Sequence, residues 1–151
     1  MTSELSRAYS GGKIPLAATA GVVAAYNLLA GATFWLLKRR RIRLGDVALA
    51  GMAAHKLTRI IARDWVTAPL RAPFVEYVRD AGRGEVEERP RGGGLRQVMG
   101  ALVTCTYCLG PWVSAALVAG LALRPGPTRL VAGAFAATGI SDLLHRAAEA
   151  E

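Results

Sequence analysis

The sequence predicts an all-α integral membrane protein: one membrane domain over residues 1–151, folded as a bundle of about four membrane-associated helices with one long polar loop. Apolar residues make up 52% of the 151-residue chain, and the mean hydropathy is +0.28. Lys and Arg number 19 against 11 Asp and Glu, and they lie beside apolar runs. This pattern is typical of a multi-pass protein of the cell membrane whose charged ends contact lipid head groups. We therefore expect membrane lipids, anionic ones included, as partners, and no nucleic acid.

The first helix is expected over residues 14–37, an uncharged stretch of 24 residues. At about 1.5 Å per residue it reaches roughly 36 Å, enough to cross a hydrocarbon core of about 30 Å. Lys38 and the arginines of residues 39–43 follow at once and predict a cytoplasmic end. A cleaved signal peptide ending near residues 30–32 is the alternative, but the segment is long for one and the basic cluster resembles a stop-transfer signal.

The second helix is expected over residues 44–65 and is only half apolar. Lys56, Arg59 and Arg63 recur at three and four residues and so form one basic stripe. If this helix spanned the membrane, the two arginine-rich segments 38–43 and 67–96 would lie on opposite sides, against the positive-inside rule. We therefore favour a re-entrant or interfacial helix with both segments in the cytoplasm. Spanning by all four helices, with the cysteines on the far side, is the alternative.

Residues 67–96 predict a flexible polar loop, because prolines, glycines and charges interrupt every apolar run. Within it, Phe74, Tyr77 and Val78 recur at helical spacing. They predict a short amphipathic helix on the membrane surface.

The third and fourth helices are expected as an antiparallel hairpin over residues 95–123 and 129–145, joined by a tight turn at residues 124–127. Gly110 and Pro111 predict a kink or break at the cysteine pair of the third helix. Small residues four apart predict close approach of these helices; they are Ala116 with Gly120, and Gly133 with Ala137.

Arg59, Asp64 and Arg71 form the candidate polar site. Arginine forks match phosphate oxygens, so these residues, with Arg63, are suited to a phosphate-bearing lipid head group. The alternative is a structural ion-pair network, in which Asp64 and Asp142 neutralise buried arginines.

Cys105 and Cys108, with His55, form the candidate metal or redox site. Two thiols three apart can share a soft metal ion such as zinc or close a disulfide. A zinc site needs four ligands, which a homodimer or both histidines, His55 and His145, would complete. A redox role would need a partner's thiols, with Cys105 forming the mixed disulfide. Packing of two small polarisable side chains is the third interpretation.

Several short motifs in this order resemble the bacterial domain-of-unknown-function 1360 family: residues 56–59, Asp64, residues 69–71, Phe74, residues 84–85, residues 94–96, Cys105, Cys108, Gly110 and Trp112. The resemblance covers roughly residues 44–142. It implies a small membrane protein, some relatives being associated with sporulation, and a family without an established activity. The helix at 14–37 is extra, and Tyr107 stands where the family often has Trp.

No catalytic triad, paired-carboxylate site, phosphate loop or metal-binding helix motif is present in the sequence. The sequence therefore favours a binding or structural module over an enzyme. A membrane thiol-disulfide redox protein or a metal-binding membrane protein is the alternative.

Overall fold

A computed structural model describes residues 2–149, with side chains from Glu4 onward. The described chain folds into seven α-helices, one 3-10 turn and two strands: α1 (Thr2–Ser10), α2 (Leu16–Leu37), α3 (Leu44–Arg63), the 3-10 turn (Trp65–Thr67), α4 (Ala68–Arg71), β1 (Val75–Gly82), β2 (Glu85–Pro90), α5 (Gly94–Thr104), α6 (Thr106–Leu123) and α7 (Pro125–Ala148). The fold is mostly helical, as expected, but the two-stranded sheet shows that the all-α prediction was incomplete.

The core lies where α3, α6 and α7 meet. Small side chains dominate it, which lets these helices approach closely; its buried residues are Ala50, Ala53, Ala54, Leu117, Leu121 and Ala132. Gly120 contributes as predicted, since a Cβ there would lie 2.9 Å from the Thr128 hydroxyl. Gly133 does not, because a Cβ there would meet nothing within 4 Å. Ala132 and Ala136 are the buried small residues of α7 instead.

Contacts between the helices fix their directions. Tyr26 of α2 meets Trp112 of α6 with ring centroids 5.1 Å apart, and the C-terminal halves of both helices line a common cavity. Hence α2 and α6 run parallel. Asp46 pairs with Arg129 near the starts of α3 and α7, and Lys56 pairs with Asp142 farther along both, so these two helices also run parallel, opposite to α6.

The bundle therefore has two chemically different ends. The basic end carries the linker between α2 and α3 and the turn between α6 and α7; its basic residues are Lys38, Arg39, Arg40, Arg41, Arg43, Arg124 and Arg129. The hairpin end carries β1, β2 and the C-terminal ends of α3 and α7. Because α3 is continuous and packs along α6 and α7, segments 38–43 and 67–96 lie at opposite ends. Whether α3 is re-entrant, interfacial or spanning in a membrane stays a prediction.

Two helices in the described part of the chain, α2 and α6, are long and apolar enough to cross a membrane. α2 has no buried residue and touches only α1, α5 and α6 to any extent. α3 and α7 lack that length of uninterrupted apolar sequence. The membrane bundle of four helices thus stays a prediction.

The break at the cysteine pair is confirmed, and its position is Cys105. This residue separates α5 from α6 with extended dihedral angles, while α6 continues through Pro111. The next turn is tighter than expected, because Arg124 alone separates α6 from α7.

Residues 67–96 contradict the prediction of a flexible loop with an amphipathic helix. β1 and β2 form an antiparallel hairpin whose turn is Arg83-Gly84, with φ angles of 55° and 76°. Positive φ at both turn residues suits the right-handed twist of a two-residue hairpin. Tyr77 and Val78 therefore lie on a strand, and Val78 is an extra residue at an irregularity between the pairs Tyr77–Glu88 and Arg79–Glu87.

Charges that suggested a solvated loop hold this hairpin together and attach it to the helices. Arg79 pairs with Glu87 at 2.6 Å, and Arg89 pairs with Glu76 at 2.9 Å across the strands. The Trp65 amide donates to the Gly84 carbonyl at 3.0 Å, which fixes the hairpin tip to the end of α3.

Arg71 is the buried centre of this attachment, with only 2% of its side chain exposed. Its Nε donates to Glu88 at 2.5 Å, and its Nη1 donates to the Ile61 carbonyl and the Thr67 hydroxyl, each at 2.6 Å. Both terminal nitrogens also donate to the Asp64 carbonyl at 3.1 Å. Carbonyls at a helix C-terminus lack hydrogen-bond donors within the helix. The Arg71 guanidinium supplies these donors at the end of α3.

A substitution at Gly100 tests whether α5 packs closely against the hairpin. A Cβ at this position would lie 2.4 Å from the Phe74 carbonyl oxygen, too close for any side chain. We expect Gly100→Ala to lower the free energy of unfolding by about 1–3 kcal/mol. Gly133→Ala is the matched control and should be neutral or slightly stabilising, because its Cβ would enter open space. Equal thermal melting of both variants in detergent would contradict this docking.

Substitutions of Glu88 and Glu87 compare the buried ion pair Arg71–Glu88 with the exposed ion pair Arg79–Glu87. Glu88→Gln leaves the buried Arg71 guanidinium without its counter-charge and should cost about 3–5 kcal/mol of stability. Glu87→Gln removes a pair whose side chains are 70% and 41% exposed, so it should cost less than about 1 kcal/mol. The same melting assay measures both, and similar melting temperatures would show that Arg71 is solvated.

Candidate functional site

A polar cleft of about 590 Å³ lies at the hairpin end, between α3, the hairpin tip and the end of α7. Its lining residues are mostly charged: Lys56, Arg59, Asp64, Ala81, Gly82, Arg83, Glu85, Asp142, His145, Arg146 and Glu149. Cations and anions in this lining are nearly balanced, so the cleft has no strong preference for one sign of charge.

Ion pairs connect the walls of the cleft. Lys56 Nζ lies 2.6 Å from Asp142, Arg59 pairs with Glu85, and Arg83 lies 2.5 Å from Glu149. The hydrogen bond from Lys56 lowers the pKa of Asp142, despite the opposing effect of its partial desolvation. Asp142 is therefore a carboxylate at neutral pH.

The structure brings together two of the three residues of the predicted polar site. Arg59 and Asp64 line the cleft, whereas Arg71 is buried beneath the end of α3 with each guanidinium nitrogen hydrogen-bonded. A head-group phosphate therefore has no route to Arg71 in this fold. The observed pairs resemble the structural ion-pair network, with Lys56 as the partner of Asp142.

Sequence reasoning missed Glu85 and Glu88 as partners of the stripe arginines, because both were assigned to a solvated charge run. The sequence feature that could have revealed this pairing is Gly-Arg-Gly at residues 82–84, which predicts a turn between two strands. Placing a turn there would have directed Glu85 and Glu88 back toward α3.

Cys105 and Cys108 are joined in a disulfide, with Cα atoms 5.2 Å apart. Cys105 is the N-cap of α6, and its sulfur accepts a hydrogen bond from the Cys108 amide at 3.1 Å. Cys108 is exposed, whereas Cys105 is half-buried. The pair thus sits where a helix N-terminus stabilises negative charge on sulfur.

His55 is exposed on α3 and lines neither the cleft nor the groove beside the cysteines. Within residues 2–149, no three side chains among His, Cys, Asp and Glu lie close enough together to hold a metal ion. Zinc binds thiolates, which a disulfide does not offer. Zinc binding by the reduced pair, or between two copies of the chain, stays a prediction.

An apolar groove of about 530 Å³ lies beside the disulfide, between the N-terminal half of α2, α5 and the start of α6. Cys108 lines it together with Val23, Tyr26, Val98, Leu102 and Trp112. Lys13 and Gln97 stand at its polar margin. The polar cleft and the apolar groove share no lining residue, so the two candidate sites are separate.

Comparison with known proteins supports the family resemblance. A family model described as "Protein of unknown function (DUF1360)" matches residues 49–148, close to the expected core of residues 44–142. The chain is also similar to "Sporulation protein YjcA" of Bacillus subtilis (strain 168), at 29% identity over 102 residues that cover 66% of this chain and 86% of the relative. No solved structure matches. The match includes the cleft residues 56–146 and both cysteines, and it shows that the chain belongs to the DUF1360 family of proteins of unknown function.

Proposed function

We propose that this protein is a membrane-embedded thiol-disulfide exchange protein, with Cys105 and Cys108 as its reactive pair. The observation that carries the proposal is an exposed disulfide at the N-terminus of an apolar helix long enough to cross a membrane. The polar cleft supports binding less strongly, because its charged groups are largely engaged with one another.

Membrane insertion is supported by the surface of α2. Its large apolar side chains are exposed along the whole helix; they include Val23, Leu28, Leu29, Phe34, Trp35 and Leu36. Each would cost about 1.5–3 kcal/mol to leave in water compared with full burial. Contact with lipid acyl chains removes that cost for α2. In the proposed arrangement, α3 and α7 pack against α6 within the same multi-pass bundle.

Charge pairing supports an orientation. Of the seven salt bridges described in residues 2–149, six lie at the hairpin end, where they pair Lys56 and five arginines with carboxylates. At the basic end Arg129 pairs with Asp46, which lowers the pKa of Asp46 through their hydrogen bonds. Arg43 also interacts with Asp46, and the other five cations there are in no salt bridge described within residues 2–149. Uncompensated positive charge after the first apolar helix favours a cytoplasmic basic end.

This orientation places the disulfide on the outer face of the membrane, where oxidising conditions allow disulfides to persist. The positions of α2 and α6 carry the argument. Because they run parallel, the N-terminus of α6 lies at the end opposite to residues 38–43.

The geometry indicates how exchange would proceed. A partner thiolate attacks the exposed Cys108 sulfur, forming a mixed disulfide while the bond to Cys105 breaks. Cys105 leaves as a thiolate that accepts the Cys108 amide hydrogen and faces the positive end of α6. A second thiol of the partner then displaces Cys108, so the partner gains the disulfide and both cysteines become reduced. The proposed order reverses the sequence-based expectation that Cys105 forms the mixed disulfide.

Thiol labelling tests the orientation. In a Cys105→Ser/Cys108→Ser background, a membrane-impermeant maleimide added to intact cells should label Arg79→Cys on the hairpin and leave Arg41→Cys unlabelled. Permeabilised cells should label both, which controls for reactivity. Labelling of Arg41→Cys alone in intact cells would place the disulfide in the cytoplasm and contradict the orientation.

Glutathione tests the exchange chemistry on the purified, oxidised protein in detergent. After acid quenching and alkylation, peptide mass spectrometry should find glutathione on Cys108 and the alkyl group on Cys105, because Cys108 is the exposed sulfur. The matched variants Cys105→Ser and Cys108→Ser each keep one free thiol, so they are treated with oxidised glutathione, which supplies the disulfide and releases one glutathione thiol. Cys105→Ser should gain glutathione on Cys108 faster than Cys108→Ser gains it on Cys105. A disulfide that glutathione leaves intact in the folded protein is structural, and that result would overturn the proposed function.

A further inference from the structure

We infer that the apolar groove beside Cys108 binds a lipid-soluble quinone, which accepts electrons from the reduced cysteine pair. The inference rests on the proposed function, because only a pair that becomes reduced in exchange needs an electron acceptor. It goes further by assigning a ligand class to the groove.

The groove has the size and lining of a small-molecule site. Its volume of about 530 Å³ falls within the range of about 300–1,000 Å³ that is usual for ligand pockets. Its walls are aliphatic and aromatic, with Tyr26 and Trp112 in edge-to-face contact at 5.1 Å. A planar apolar ring system matches such a wall, since aromatic faces and edges both attract rings.

Access to the groove is from the side of α2 that would face lipid. Val23, which is 54% exposed, lies both on this outer surface and in the lining. A ligand dissolved in the bilayer can therefore enter without crossing water. A water-soluble oxidant would gain little from this apolar lining.

Hydrogen-bond donors at the groove suit the two carbonyl groups of a quinone. The Tyr26 hydroxyl, the Trp112 indole N–H and the Lys13 ammonium belong to lining residues, and no acceptor is described for them within residues 2–149. Gln97 donates to the Lys13 carbonyl at 2.8 Å, which holds the chain at this margin in place. Acyl chains of lipids could fill the apolar part but would leave these donors unused.

The reaction balances with the groups present. The two thiols lose two protons and two electrons, and the bond between the Cys105 and Cys108 sulfurs forms. The quinone takes up both electrons, and each of its oxygens gains one proton to give the hydroquinone. Cys108 is the cysteine that lines the groove, so electrons leave through its sulfur.

Reoxidation by a defined quinone tests the inference. The full-length protein is reduced, desalted in lipid nanodiscs without oxygen and mixed with decylubiquinone, whose fully substituted ring does not arylate thiols. Maleimide-polyethylene glycol gel shifts measure the free cysteines, and ultraviolet absorbance measures the hydroquinone. We expect one hydroquinone per disulfide formed.

Two variants of α2 locate the reaction. Val23→Trp should fill the groove and slow reoxidation by about tenfold or more. Leu36→Trp is the matched control, because Leu36 is equally on the outer surface but lines no part of the groove, and its rate should equal that of the wild type. Thermal melting of both variants verifies that they fold.

The outcomes separate this inference from the proposed function. If glutathione exchanges with the disulfide but decylubiquinone leaves the reduced pair unchanged, the quinone site is refuted and the exchange function stands. Equal reoxidation of Val23→Trp and the wild type would likewise refute the groove as the site. If glutathione does not react with the folded protein, the proposed function fails and this inference fails with it.

Discussion

Arg71 provides the hydrogen bonds that allow α3 to end inside the protein. A helix terminus buried without partners for its carbonyls costs free energy for each unsatisfied group. Here the guanidinium group donates to the Ile61 and Asp64 carbonyls while Glu88 balances its charge. Because Glu88 belongs to β2, the same interaction fixes the hairpin against α3. The cleft walls, the hairpin tip and the docking surface of α5 all take their positions from this attachment.

Charge pairing explains why two ends with many arginines behave differently. At the hairpin end five arginines form salt bridges with carboxylates, and these basic residues link the strands and helices there. The linker of residues 38–43 contains basic residues and no acidic one. A count of arginines along the chain suggests similar positive charge at the two ends. In the folded protein the excess positive charge lies mainly at the basic end. In the proposed orientation, that asymmetry removes the conflict with the positive-inside rule.

The sequence predicted the features that depend on local spacing. The apolar run of α2, the stripe on α3 and the break at Cys105 follow from residue periodicity and from the cysteine-glycine-proline segment. The hairpin was missed because its strands carry charges that find partners only in three dimensions, and its aromatic residues coincide with helical spacing. Arg71 was assigned a ligand-binding role, because its burial depends on Glu88, which is 17 residues away in the sequence. The groove was not predictable because it forms where α2 packs against α5 and α6, which are distant from α2 in the sequence.

The break before α6 links the chemistry of the cysteines to the fold. In a continuous helix, side chains three residues apart have Cβ atoms about 5–6 Å apart, but a disulfide requires about 3.5–4.5 Å. Cys105 therefore has to leave the helical conformation for the bond to form, and its extended dihedral angles satisfy that requirement. The same break sets the direction of α5 relative to α6. Because α5 contacts the hairpin through Gly100 and borders the groove through Val98, the residue that permits the disulfide also helps to position both surfaces.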